Sequence, residues 1–120
     1  MGTWSKVVLS GSTNGQGVAI TGLTPSTGNL IHTPASGNGL DEVIIYAYNS
    51  ATTARELGIA IGPTTNVGSR FVHTLPAGDK AGLQPIVPGL TLNATTCTVR
   101  MYATAADIIN VFGWVNRYAT

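Results

Sequence analysis

His32, Ser36, Asp41 and Glu42 fall within "HTPASGNGLDE", a serine, a histidine and two carboxylates inside a short stretch. Those types could serve nucleophilic catalysis, which needs a base within hydrogen-bond reach of the nucleophile and an acid that orients the base. Ser36 lies in the turn-forming "PASGNG", and no strand–turn–helix elbow pattern surrounds it. The stretch therefore reads as a turn serine, a strand-end histidine and a strand-start aspartate. Asp41 and Glu42 are adjacent, so on a strand they point to opposite faces and cannot form an acid/base pair by themselves. Glu56 or Asp107 would have to join one of them. Solvated strand-end charges, or a partner for an arginine, are the simpler roles.

The other reactive residues lead to the same reading. His32 and His73 are the only histidines, and a metal would need further Asp, Glu or Cys ligands converging on them. They read as surface or interface histidines. Cys97 is the single cysteine, which excludes an intrachain disulfide. It sits in "TTCTV", which reads as a strand, and as a buried inert thiol. "GSTNGQG" (11–17) lacks the lysine and following helix of a phosphate-binding loop and reads as a hairpin loop. "LPAGDKAG" (75–82) reads as a turn in which Gly78 and Asp79 supply unusual backbone angles. No catalytic, cofactor-binding or metal-binding residue is assigned, no cofactor is expected, and the chain is not expected to be an enzyme.

The elements that position these residues follow from composition and punctuation. The chain has 120 residues and is read as one domain over 1–120. Apolar residues make up 43% and charged residues 9%, against a usual charged share of roughly 25%. Thr, Ser, Asn and Gly cover the surface in place of Lys and Glu, which points to burial of part of that surface against other protein. The net charge is +1, and the six basic residues (Lys6, Arg55, Arg70, Lys80, Arg100 and Arg117) are scattered. Phosphate-driven nucleic-acid binding wants a concentrated basic patch, so no nucleic-acid partner is expected. "MGTWSKVVLSGS" lacks the charged and apolar regions of a signal peptide. No apolar run approaches the roughly 20 residues of a membrane span. Synthesis in the cytoplasm and no membrane partner are the expectations.

Gly and Pro clusters separate nine runs rich in Val, Ile, Thr and Tyr: 5–10, 17–21, 29–33, 41–49, 55–62, 70–75, 83–87, 95–104 and 109–118. The last run could be drawn as a helix capped by Thr104, with Asp107 in its first turn. Gly113 in its middle and the alternation of Val111, Gly113, Val115 and Arg117 against Asn110, Phe112, Trp114 and Asn116 favour a strand. The fold class is all-β: an antiparallel sandwich, jelly-roll-like, of about eight or nine short strands. Residues 1–10 are either an extended N-terminal arm or an edge strand. Trp4 and two nearby valines would anchor such an arm on a neighbouring subunit.

In "DEVIIYAYN", Val43, Ile45 and Ala47 share one side, and Ile44, Tyr46 and Tyr48 the other. A strand with one wet face alternates apolar and polar. This one does not, so both faces are expected to be covered, the second by another subunit. Tyr and Trp suit such a surface because they bury large area and keep a polar atom for the rim. The candidate interface residues are Trp4, Ile44, Tyr46, Tyr48, Phe112 and Trp114. The aromatics could also make a sugar platform, though core or interface use is the simpler reading.

The order of "GLDEVIIYAYN", "IVPGLTLN" and "INVFGWVNR" within residues 29–118 resembles the small capsid decoration, or cement, proteins of tailed bacteriophages. The resemblance rests on packing and turn motifs. It implies a β-sandwich that forms a homo-oligomer, with a trimer favoured over a dimer. It also implies binding to the major capsid protein on the outside of the phage head, where the protein bridges capsomers and stabilises the virion. No active site or cofactor is implied. The alternatives are a receptor- or glycan-binding module of a phage tail or fibre, using loops such as 11–16 and 63–69, and a small hydrolase built on His32 or His73 with Asp41 or Glu42.

Overall fold

The computed structural model describes residues 2–35, 39–62, 69–106 and 108–119. Ser36, Asp107 and most of the 63–69 loop, each given a role above, lie outside the described residues. Among the described residues nine strands form: β1 (Thr3–Val8), β2 (Val18–Ala19), β3 (Asn29–His32), β4 (Leu40–Asn49), β5 (Arg55–Ile61), β6 (Arg70–Leu75), β7 (Gln84–Leu92), β8 (Val99–Ala103) and β9 (Ile109–Ala119). One turn of helix, α1 (Gly78–Ala81), precedes β7, and a 3₁₀ turn at Pro25–Thr27 precedes β3. The alternation read in the last run is that of a strand.

Two antiparallel sheets result. The larger runs β1-β9-β4-β7, with β2 also paired to β9, and the smaller runs β3-β8-β5-β6. β1 pairs with β9 from Thr3↔Ala119 to Val8↔Trp114, and β2 continues in the same direction at Val18↔Val111 and Ala19↔Asn110. β1 and β2 are therefore two halves of one edge strand. The remaining pairs nest around the β5–β6 connection: β4 with β7 and β3 with β8 inside β1/β2 with β9. A hairpin of nested pairs wrapped into two facing sheets is a jelly roll. Of the two forms read for residues 1–10, the edge strand is the one that Thr3–Val8 takes.

The stretch 11–17 is not a hairpin loop, since β1 and β2 do not pair with each other. Its turn chemistry is real: Asn14 and Gly15 have φ of 55° and 81°, and Gln16 N–H donates to Thr13 O at 2.9 Å. The turn serves an excursion toward the smaller sheet, where Gly11 N–H donates to Ile31 O at 2.9 Å. A Cβ on Gly11 would overlap the carbonyl of Leu30, so glycine permits this approach.

The core lies between the sheets. Leu9, Ile20, Ile31, Val43, Ile45, Leu57, Ile59, Leu75, Val99, Met101, Ile109, Val111 and Val115 are fully buried there. Each such side chain contributes about 1.5–3 kcal/mol relative to exposure. β4 alternates buried and half-buried from end to end, so among the described residues its second face is only partly covered. β7 is longer than the run 83–87 and passes through Pro85, Pro88 and Gly89. As the outer strand of its sheet it tolerates residues that cannot donate to a ladder. β8 begins at Val99, which leaves Cys97 half-buried in the preceding turn, its N–H donating to Ala94 O at 3.0 Å. In the 75–82 turn the left-handed residue is Gly82, with φ 67°, rather than Gly78 or Asp79. Gly78 is small because a Cβ there would overlap Asn49 O.

Candidate functional site

Two constellations stand out, one inside the sandwich and one on its outer surface. The first contains His32 and Asp41. Neither is at the surface as expected: both are fully buried. His32 enters from β3 in the smaller sheet and Asp41 from β4 in the larger, with His32 Nε2 and Asp41 Oδ2 2.7 Å apart. Ser10 N–H donates to His32 Nδ1 at 3.0 Å, so that nitrogen is an acceptor and Nε2 carries the proton given to Asp41. Arg117 from β9 donates Nε to Oδ1 at 2.8 Å and Nη2 to Oδ2 at 3.0 Å, and Ala35 N–H donates to Oδ2 at 3.1 Å.

Burial pushes the Asp41 carboxyl up, but the hydrogen bonds from Arg117 and His32, the Arg117 charge and the Ala35 N–H outweigh it. They hold the carboxyl below its ordinary value of 3.8. Its hydrogen bond to Asp41 pushes the Arg117 guanidinium up from its ordinary value, with partial burial opposing and the carboxylate charge assisting. Both ring nitrogens of His32 are engaged, and a base needs one of them free for its nucleophile. The cluster joins the two sheets at one end of the sandwich. Asp41 is the arginine partner considered above, and Glu42 lies on the opposite face, as adjacency requires. His32 and His73 do not converge: among the described residues, no group of three or more His, Cys, Asp or Glu could hold a metal ion.

The second constellation covers the outer face of the larger sheet. Residues paired across neighbouring strands share a face, so the register writes the surface as rows. Trp4, Tyr118 and Leu40 make the first; Lys6, Asn116 and Glu42 the second; Val8, Trp114 and Ile44 the third. Phe112 with Tyr46 and Asn110 with Tyr48 follow. All six candidate interface residues therefore lie on one sheet face. Trp4 is 60% exposed, Val8 49% and Phe112 36%, while Ile44, Tyr46, Tyr48 and Trp114 are half-buried.

The aromatics order one another. Tyr46 stacks on Trp114 at 5.9 Å between ring centroids, Trp4 meets Tyr118 edge-on at 5.2 Å, and Lys6 Nζ lies 5.4 Å from the Trp114 ring centroid. Such contacts are each worth about 0.5–1.5 kcal/mol. Asn116 Nδ2 donates to Glu42 Oε1 at 3.0 Å. An open concavity of about 520 Å³ lies among Trp4, Ser5, Lys6, Glu42 and Asn116. Gly113 sits opposite Ile45, where a Cβ would overlap the carbonyl of Ile44, so its smallness lets β9 lie close against β4.

Lys6, Glu42, Asn116 and Tyr118 belong to this surface but were not among the sequence candidates. The alternation of β9 already puts Asn116 beside Trp114. The pairing that adds Lys6 and Glu42 spans most of the chain and leaves no local signal. Tyr102 is on the other sheet, its ring lying over Gly58.

No family model, curated protein or solved structure matches the chain.

Proposed function

We propose that this chain is a non-catalytic assembly module. It self-associates through the outer face of its five-stranded sheet and, as an oligomer, docks on a larger protein shell, in the manner of the phage-head decoration proteins it resembles. The observation that carries the reading is the aromatic-rich outer face, Trp4 to Tyr48, which stays half-buried to exposed among the described residues. A contiguous exposed apolar surface of this kind, with Trp and Tyr at its centre and a few polar groups among them, has the composition of a protein–protein interface. The low charge of the chain agrees with close packing against protein. An oligomer presents its remaining surface in several copies at once, which gives the avidity that a shell clamp needs.

The test has two parts. Light scattering measures the mass of the free protein, and co-sedimentation measures binding to phage heads assembled from the cognate major capsid protein. An oligomer that binds heads and raises their heat resistance supports the reading. A monomer that ignores heads overturns it.

A second reading has one observation in its favour. The concavity beside Trp4 combines an exposed indole with Lys6, Glu42 and Asn116, a set able to stack on a sugar ring and hydrogen-bond its hydroxyls. Binding on a glycan array that is lost in Trp4→Ala would favour a glycan-binding module.

A further inference from the structure

We infer that the occupant of the outer face is a second copy of this chain, packed face to face about a two-fold axis that runs along β9 through Asn116. This rests on the assembly reading above and fixes its geometry. The observation is the charged row that crosses a largely apolar and aromatic face. Lys6 is on β1 and Glu42 on β4, with Asn116 of β9 between them. Strands lie about 4.8 Å apart, so the Cα atoms of Lys6 and Glu42 sit about 10 Å from one another, on either side of β9. Among the described residues, neither has an oppositely charged partner within salt-bridge distance. Glu42 is held by Asn116, and Lys6 rests over Trp114.

A face carrying one unpaired cation and one unpaired anion, symmetrically placed about a central strand, is complementary to itself. Two-fold packing of identical patches places residue i against j and j against i. Two axis directions in the plane of the face have to be compared. An axis along β9 exchanges the two sides of the sheet. Lys6 of each copy then meets Glu42 of the other, and the Trp114 rings face each other at the centre. An axis across the strands through that row puts Lys6 on Lys6 and Glu42 on Glu42, an arrangement that like-charge repulsion disfavours, and one through the neighbouring Trp114 row leaves both charges covered without a partner. Either direction keeps the strands of the two copies nearly collinear, so the charges decide between them.

The test uses the full chain and three variants, each checked for folding by circular dichroism and thermal unfolding. Lys6→Glu alone faces Glu42 with an acid, and Glu42→Lys alone faces Lys6 with a base. Each single variant should show a dimer dissociation constant raised by about tenfold or more in sedimentation velocity. Mixed in equal amounts, with tags of different length on the two, they should form a heterodimer of near wild-type affinity, since both contacts are then opposite in sign. Trp114→Ser reports on the face itself. Rescue on mixing supports the arrangement. If Trp114→Ser abolishes association while both charge variants associate like the wild type, the face is an interface but this arrangement is wrong. A wild-type trimer overturns the two-fold arrangement. A wild type and Trp114→Ser that associate equally, or a wild-type monomer, overturn the assembly reading as well.

Discussion

Replacing Asp41 by Asn tests the polar cluster that ties the two sheets together. The carboxylate accepts two bonds from Arg117, one from His32 and one from the Ala35 N–H, and its own side chain is fully buried. Breaking a buried ion pair by removing one partner costs about 3–5 kcal/mol. Arg117 keeps 31% of its side chain exposed and can recover part of its hydration, which places the cost near the lower limit, at about 3 kcal/mol. For a domain of this size that is a fall in Tm of about 10 °C. Urea unfolding should show a lower midpoint with an unchanged slope. The difference from wild type should also depend on pH. The folded Asp41 pKa lies below its ordinary 3.8, so the unfolded chain takes up the proton first as pH falls. The stabilisation is complete well above that value and is lost as pH drops through it toward the folded pKa. Wild type and Asp41→Asn should therefore converge in stability below about pH 4. A variant within about 0.5 kcal/mol of wild type at pH 7, or a gap that widens in acid, would refute the claim that this carboxylate holds the sheets together.

Three further outcomes are expected. Gly113→Ala forces a Cβ onto the Ile44 carbonyl and should cost about 1–3 kcal/mol or more in chemical denaturation, since backbone rather than a flexible side chain must yield. Asn49→Ala should cost about 1–3 kcal/mol. Its buried amide serves the carbonyls of Thr53, Leu75 and Pro76 and accepts from Ala51 N–H, and hydrogen exchange should quicken selectively at Ala51. Ile59→Ala, at the centre of the core, should cost about 2–5 kcal/mol by the loss of buried area and the cavity left behind, read by the same unfolding curves.

Much of the fold was legible because a strand's faces alternate strictly. The sides assigned in β4 and β9 from residue types alone are the sides the structure uses, down to Gly113 and Arg117 inward and Trp114 and Asn116 outward. Interruptions were harder to read. Asn14–Gly15 is a true tight turn, but a local turn signal does not say which strands it joins, and Gly11 takes the chain to β3 instead of back along β1. Pro88 argued for ending the run at residue 87, because edge position, which makes it tolerable, is a property of the sheet. The outer face was legible as a list of aromatics, not as a surface. Its charged row joins residues far apart in the chain, and the Asp41–Arg117 pair bridges 76 positions. Only the register of β1, β9 and β4 brings either into view.

The central claim is that the outer face of the five-stranded sheet is buried by protein. Its most direct test compares the light-scattering mass of the wild-type chain with that of a Tyr46→Ser, Trp114→Ser double variant at equal concentration, with folding confirmed for both. The account predicts a whole multiple of 12.3 kDa for the wild type and 12.3 kDa for the folded variant. A wild type that stays at 12.3 kDa at every concentration, or a variant that keeps the wild-type mass, would contradict it.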